Sequence, residues 1–139
     1  MRFSIYQQSQ AGGRATNQDR MGYCFTRESL LLLLADGMGG HLHGELAATL
    51  TLQTMGSLFQ KAASLVVADP EAFLDELIYS SHLALHRYRP QNRLDDTPRT
   101  TIVPVWCKRA KHNGRIAATP VCIGYVVAVY CRAPPITRM

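Results

Sequence analysis

The residue types best suited to chemistry lie in one stretch, residues 30–45, with the sequence LLLLLADGMGGHLHGE. Five leucines lead into Asp36 and Gly37, and a glycine-rich turn that contains His41 and His43 follows. Burying a carboxylate at the end of an apolar strand is costly unless a cation or a hydrogen-bond donor compensates its charge. Carboxylates beside a backbone path that favours glycine are common ligands of hard divalent cations.

A nucleotide-binding loop is one alternative, because its glycines also lie between a strand and a helix. Residues 37–42, GMGGHL, lack the third glycine of the dinucleotide pattern, and no acidic residue lies between Glu45 and Asp69 to hold a ribose. No Lys-Ser or Lys-Thr pair follows the glycines, which excludes a Walker-type phosphate loop. The dinucleotide loop is therefore the weaker hypothesis.

A zinc site is a second alternative, with His41 and His43 as ligands beside Asp36 and Glu45. Histidines two residues apart suit a strand, whereas these two lie in a predicted loop that offers no third strong ligand. Two exposed loop histidines are the simpler interpretation.

A carboxylate site for Mg²⁺ or Mn²⁺ is the third hypothesis. Asp36 ends one predicted strand and Asp19 lies in the polar segment at residues 11–20, so the two carboxylates converge if their strands pair. These ions use few protein carboxylates and several water molecules. Arg14, five residues before Asp19, could then offer its guanidinium group to a phosphate dianion.

Hydrophobic periodicity predicts the elements that would position these residues. Strands are expected at residues 3–9, 21–26, 30–35 and from residue 100, and helices at residues 44–63 and 69–89. The strand at residues 30–35 is apolar throughout, so we expect it to be buried on both faces. Asp69 as N-cap and Pro70 at the first helical position mark the start of the second helix.

Composition indicates one soluble domain with an unusual C-terminal segment. Residues 1–103 carry nine Lys and Arg and ten Asp and Glu, whereas residues 104–139 carry six Lys and Arg and no acidic residue. No apolar run approaches the roughly 18 residues that span a bilayer, and residues 1–10 lack the apolar core of a signal peptide. We therefore expect a cytoplasmic protein without a membrane partner. The cysteine spacing indicates neither a disulfide framework nor a zinc site.

Three blocks of the sequence resemble the PPM (type 2C) family of metal-dependent protein phosphatases, in its compact bacterial form. The blocks are GRATNQDR at residues 13–20, LLADGMGGH at residues 33–41 and GELA at residues 44–47. Thr100 and Thr101 match the paired threonines that open the next core strand of the family. Together these features cover residues 1–103 in the order and spacing of the family.

The resemblance implies an α+β fold, an α-β-β-α sandwich with a centre of two Mn²⁺ or Mg²⁺ ions at one end. Asp36 would bridge the two ions, Gly37 would add its backbone carbonyl, and Asp19 would lie in or beside the metal shell. Arg14 would bind the substrate phosphate, which makes Asp36 and Arg14 the expected catalytic residues. The implied reaction is hydrolysis of phosphoserine and phosphothreonine in proteins by metal-activated water, opposing a Ser/Thr kinase.

Two positions depart from the family pattern. Some relatives have glutamate where Gln18 stands, so a metal ligand is weaker or absent there. Some relatives have a histidine, proposed as general acid, directly after the Asp-Gly pair, and this chain has Met38. His41 belongs to the glycine-rich turn and does not inherit that role.

The segment after residue 103 lacks the block of type W-A-H-x-G-D-S-R-L-Y with which the family continues. If permitted codons for residues 106–139 are read in a shifted frame, from the last base of codon 105, one choice of codons gives QWAHCGDSRLYW in register. We therefore predict that residues 1–103 are the N-terminal half of the phosphatase domain and that the domain is truncated after residue 103. Residues 104–139 are then an out-of-frame tail rather than a domain. The rival hypothesis, a basic tail that binds nucleic acid, is the weaker one because its charges are scattered among apolar residues.

Two functional hypotheses follow for the chain as a whole. The first is a protein serine/threonine phosphatase that is unstable and inactive in this truncated form, because half of its sandwich is missing. The second is a catalytically dead relative that binds phosphoproteins, or a pseudogene product. Neither hypothesis involves a nucleic acid or a membrane.

Overall fold

A computed structural model describes residues 4–38, 43–62 and 69–108, and the backbone of residues 111–112, 115–116, 121–124 and 127–129. The fold is α+β, as predicted. Its elements, in chain order, are β1 Asp19–Phe25, β2 Ser29–Gly37, α1 Gly44–Ala62, α2 Pro70–Gln91, β3 Thr100–Lys108, β4 Lys111–His112, β5 Arg115–Ile116, β6 Val121–Gly124 and β7 Val127–Val129.

The main sheet is built around three antiparallel strands in the order β1-β2-β3. A tight turn joins β1 to β2: the backbone N–H of Thr26 donates to the carbonyl oxygen of Ser29 at 2.8 Å. The hydroxyl oxygen of Thr26 also accepts from the N–H groups of Glu28 and Ser29. This turn sets the register of the hairpin from Phe25 opposite Leu30 to Asp19 opposite Asp36.

Both helices pack on the same face of this sheet. The buried residues of α1 recur at helical spacing and face the odd-numbered positions of β2 and the even-numbered positions of β3. The resulting core consists of Leu31, Leu33, Ala35, Ala47, Ala48, Met55, Phe59, Phe73, Leu74, Leu77, Leu85, Ile102 and Trp106. Burial of this apolar surface is the main stabilisation of the described fold.

The second helix begins where the sequence predicts. A side-chain oxygen of Asp69 accepts hydrogen bonds from the N–H groups of Glu71 and Ala72 at 3.0 and 3.1 Å. Pro70 follows at the first helical position, where its missing N–H group costs nothing. The helix ends at Gln91, directly after a proline in its last turn.

The face of the sheet opposite the helices is apolar and open. Tyr23, Phe25 and Leu34 expose 45%, 61% and 45% of their surface, and the two aromatic rings stack with centroids 6.4 Å apart. The prediction that residues 30–35 are buried on both faces is therefore wrong. Because the described helices cover one face only, Leu31 and Leu33 are buried while Leu34 is not.

Two further predictions need correction. Residues 4–9, the described part of the first predicted strand, form neither helix nor strand. Their alternation would suit a strand, but they have no neighbouring strand to pair with in the described sheet. Cys107 is disulfide-bonded, contrary to the expectation from cysteine spacing, because sequence spacing carries no information about pairs across a sheet. Cys24 is a free thiol.

The strand β3 continues past residue 103 to Lys108, and two short strands pair with its outer edge. β7 pairs with Thr100–Ile102, and β6 pairs with the stretch from Val105 onward. Pro104, which has no N–H group to donate, falls in the interval between these two pairings. The origin of residues 104–139 stays a prediction. None of the helices in the described residues is long and apolar enough to cross a membrane.

Candidate metal and phosphate site

The structure brings the two predicted metal-binding carboxylates together. Asp19, the first residue of β1, lies directly opposite Asp36, near the end of β2. Residues paired in this way project from the same face of an antiparallel sheet. This is the open face, because Asp36 alternates with the buried residues Leu33 and Ala35. The carboxylates therefore lie at one end of the open face, where Asp36 is exposed and Asp19 is half-buried.

The pKa of Asp36 reflects its proximity to Asp19. Partial loss of hydration raises the pKa of Asp36, and the hydrogen bond and the negative charge of Asp19 raise it further. The positive charge of Arg14 acts in the opposite direction and lowers the same pKa. Arg14 lies in an exposed loop whose turn is closed by a bond from its N–H to the carbonyl oxygen of Ala11 at 3.2 Å. Arg14, Asp19 and Asp36 therefore share one electrostatic environment.

The backbone of Asp36 is fixed by the paired threonines at the start of β3. The hydroxyl groups of Thr100 and Thr101 both donate to the carbonyl oxygen of Asp36, at 2.9 and 3.3 Å. Thr100 is fully buried, whereas the bond from Thr101 is exposed to water. The threonines thus hold the strand end that carries the carboxylate.

Gly37 and Gly44 allow β2 and α1 to approach each other closely. A Cβ atom on Gly37 would lie 2.4 Å from the carbonyl oxygen of Gly44 and 2.8 Å from that of Gln18. A Cβ atom on Gly44 would lie 3.0 Å from the carbonyl carbon of Gly37. Glycine is required at Gly37 because backbone atoms occupy the space of a side chain. The first turn of α1 is thereby seated against the end of β2.

A polar network that the sequence did not predict holds the segment around Asp19. The side-chain oxygen of Asn17 accepts from the N–H of Asp19 at 3.0 Å. The guanidinium group of Arg20 donates to the carbonyl oxygens of Asn17 and Asp19, at 3.0 and 2.7 Å. The same group forms an ion pair with Glu45 in the first turn of α1. Opposite charges 25 residues apart give no local sequence signal, so only the fold reveals this link.

The remaining candidate ligands have different placements. The side-chain oxygen of Gln18 is buried, has no hydrogen-bond partner among the described residues and lies 2.9 Å from a Cβ built on Gly44. His43 is exposed, with a positive φ of 71°, and His41 lies outside the described residues. Within residues 4–38, 43–62 and 69–108, no three His, Cys, Asp or Glu side chains form a metal-binding group.

One comparison with known proteins bears on this arrangement. The family model described as Protein phosphatase 2C matches residues 7–126. The chain belongs to this family. The match includes all three sequence blocks and every residue of the site described above. It also extends past residue 103, and the domain boundary proposed there stays a prediction. No curated protein matches the chain.

Membership places the chain in a family of metal-dependent phosphatases that generally use Mn²⁺ or Mg²⁺. The donor set at the end of the open face is compatible with such ions, since carboxylate oxygens are their preferred ligands. Two adjacent carboxylates whose charges repel each other also favour a bound cation. The described residues thus bring two carboxylates together, and their roles as metal ligands stay predictions.

Proposed function

We propose that the chain is the N-terminal half of a metal-dependent protein serine/threonine phosphatase and is inactive as it stands. The observation that supports this most directly is the placement of Asp19 opposite Asp36, with Arg14 within electrostatic reach. In this proposal a phosphorylated protein in the cytoplasm is the substrate, and a Ser/Thr kinase carries out the opposing reaction.

The proposed metal ligands are Asp36, Asp19 and the backbone carbonyl of Gly37. Bound Mn²⁺ or Mg²⁺ would supply a Lewis acid and a water nucleophile for attack on phosphorus. Asp36 is suited to holding such ions because two threonine hydroxyl groups fix its backbone. Asp19 is suited because Asn17 and Arg20 fix the backbone on either side of it.

The proposed role of Arg14 is to bind the substrate phosphate. Its guanidinium group is planar and matches two phosphate oxygens, and the exposed loop gives a large phosphoprotein access. The negative charges of Asp19 and Asp36 would repel a phosphate dianion in the absence of metal. Phosphate binding by Arg14 is therefore expected to require the bound cations.

We propose that the chain is inactive because the described residues enclose the carboxylates on one side only. The carboxylates project from the open face, where Asp36 is exposed to water. In a sandwich, a second sheet would cover this face and contribute further ligands. A site open to bulk water loses much of the electrostatic stabilisation on which phosphoryl transfer depends.

Phosphatase assays on two forms of the protein test the proposal. Hydrolysis of p-nitrophenyl phosphate and of a phosphothreonine peptide is measured with Mn²⁺, with Mg²⁺ and with EDTA. We expect no turnover by the 139-residue chain, and metal-dependent turnover by a version with one base restored near codons 104–105. Asp36→Asn in the restored version should abolish that turnover, whereas Asp75→Asn on the exposed surface of α2 should not.

The same two forms of the protein, with a peptide-binding measurement added, distinguish this proposal from the alternative of a catalytically dead binding protein. That alternative expects the restored version to be inactive as well, while the chain binds a phosphopeptide more tightly than the unphosphorylated peptide. Turnover by the unrestored 139-residue chain would overturn the proposal of an inactive half. No turnover by the restored version, with Mn²⁺ binding intact, would overturn the proposed phosphatase function.

A further inference from the structure

A pair of histidines on α2 forms a group of metal ligands that the carboxylate site does not use. His82 and His86 lie four residues apart, and their imidazole rings meet edge to face with centroids 4.5 Å apart. Both side chains are half-buried, so water and small ions reach them. We propose that these two imidazoles form a second metal site, which binds a transition-metal ion of the class of Zn²⁺, Ni²⁺ or Cu²⁺.

The spacing of the rings suits chelation by one ion. A ring nitrogen lies about 1.1 Å from its centroid and a metal ion about 2.1 Å from the nitrogen, so each centroid lies about 3.2 Å from the ion. Two such rings at the right angle of tetragonal coordination, which Ni²⁺ and Cu²⁺ adopt, would have centroids about 4.5 Å apart. The observed separation of 4.5 Å fits this arrangement. The terminal side-chain torsion of histidine is broad, so the two rings can reorient toward one ion at low cost.

The helix supplies the rigidity that a chelating pair requires. Residues four apart lie on the same side of an α-helix, one turn apart. α2 extends for 22 residues, and the pair lies in its middle, away from both ends. Leu77 and Leu85 on the adjacent side of the helix are buried in the core, which holds this turn in place. The two imidazoles are therefore held together before any ion binds, and little conformational entropy is lost on binding.

The ionisation of the pair also favours metal binding. Partial burial lowers the pKa of His82, and the charge of His86 lowers it further. A neutral imidazole has a free lone pair, which is the form that coordinates metals. Neither imidazole makes a hydrogen bond with the part of the chain that the structure describes, so no such bond must be broken.

The chemistry of the ligands selects the class of ion. Imidazole nitrogen suits Zn²⁺, Ni²⁺ and Cu²⁺, whereas Mn²⁺ and Mg²⁺ prefer the oxygen ligands at Asp19 and Asp36. No third His, Cys, Asp or Glu joins the pair among the described side chains, so water molecules would complete the coordination. We therefore expect dissociation constants in the micromolar range, with Cu²⁺ bound most tightly.

Calorimetric titration with Ni²⁺ tests the site, because Ni²⁺ prefers imidazole and does not redox cycle. The full chain should bind Ni²⁺, and His82→Gln or His86→Gln should each weaken binding by about tenfold or more, since chelation is lost. The double variant His86→Gln/Arg87→His keeps the number of histidines but moves one to a different side of the helix. It should bind as weakly as His86→Gln alone.

Two further controls separate this site from the carboxylate centre. His43→Gln, in an exposed position outside α2, should leave Ni²⁺ binding unchanged. The histidine variants should leave any Mn²⁺ binding unchanged, and Asp36→Asn should leave the Ni²⁺ affinity of the histidine pair unchanged. Ni²⁺ binding by the double variant with the affinity of the unsubstituted chain, or a dissociation constant above about 1 mM for the full chain, would refute the proposal.

A measurement without variants guards against loss of folding in the substituted chains. In protein labelled with isotopes at histidine, Zn²⁺ should shift the imidazole NMR signals of His82 and His86 together and at the same concentration. Signals that stay in place, or shifts confined to the other three histidines of the chain, would show that the pair binds no metal.

Discussion

Replacing Asp36 by asparagine should stabilise the metal-free chain while removing Mn²⁺ binding at the carboxylate site. Asp19 and Asp36 are directly opposite across β1 and β2, and like charges in this position destabilise a sheet by about 0.2–1 kcal/mol. For a chain of this length, 1 kcal/mol corresponds to roughly 2–4 °C in melting temperature. We therefore expect metal-free Asp36→Asn to melt up to about 4 °C above the wild-type chain at neutral pH.

The effect should depend on pH with a defined sign. The pKa of Asp36 is raised by partial loss of hydration and by Asp19. A carboxyl group with a raised pKa in the folded state favours folding below its ordinary value of 3.8 and loses that contribution as the pH rises through the raised value. The advantage of Asp36→Asn should be absent near about pH 4 and should grow toward neutral pH.

Thermal melts followed by circular dichroism provide the assay, in EDTA at several pH values and then with Mn²⁺. Mn²⁺ should raise the melting temperature of the wild-type chain and leave that of Asp36→Asn unchanged. Asp75→Asn, an exposed change on α2, is the matched control and should shift neither melt. Added salt should reduce the difference between variant and wild type, because it screens the repulsion. A metal-free Asp36→Asn that melts below wild type at neutral pH would show that the carboxylate pair is net stabilising, and the reasoning would fail.

Three other predictions test the elements around the site. Gly37→Ala should lower the free energy of unfolding by about 1–3 kcal/mol in urea titrations, because the added Cβ would lie 2.4 Å from the carbonyl oxygen of Gly44; Gly13→Ala, where a Cβ meets nothing within 4 Å, should change it little. Asp69→Ala should cost about 0.5–2 kcal/mol through loss of the helix cap, whereas Asp69→Asn should preserve most of the stability. Trp106, the single tryptophan of the chain, is 1% exposed. It should therefore show blue-shifted fluorescence with weak acrylamide quenching, and emission like that of a fully hydrated tryptophan would contradict the packing of β3.

The helices and the two central strands could be predicted because their signals are local. The apolar spacing of α1 and the cap formed by Asp69 and Pro70 lie within a few residues of each other in sequence. The boundaries observed at Gly44, Ala62 and Pro70 agree with the prediction to within one residue. Local signals of this kind do not depend on the rest of the fold.

The faces of the sheet could not be predicted from the leucine run. A strand of five leucines has no alternation, so its sequence does not distinguish a side that faces helices from one that faces water. The difference between Leu33, 4% exposed, and Leu34, 45% exposed, arises from the placement of the helices on one side. For residues 4–9 the alternation was present, but a strand also needs a partner edge.

The proximity of Asp19 and Asp36 could be predicted, but the contacts that hold them in place could not. Asp19 and Asp36 were expected to converge if their strands paired, and the hairpin register brings them face to face. The link between Arg20 and Glu45 joins residues distant in sequence, and no pattern indicates it. No sequence pattern indicates the close packing of Gly37 on Gly44 either, because it depends on the paths of two separate backbone segments.

The open face of the sheet has a consequence for the fate of the chain in a cell. Tyr23, Phe25 and Leu34 form an exposed apolar surface of the kind that favours aggregation and recognition by chaperones and proteases. The part of β1 from Met21 to Phe25 carries no charged residue, so contact between chains is favoured as concentration rises. The abundance of the polypeptide should then be set by degradation and self-association more than by its rate of synthesis. The open face that leaves the carboxylates accessible is thus also expected to shorten the lifetime of the polypeptide.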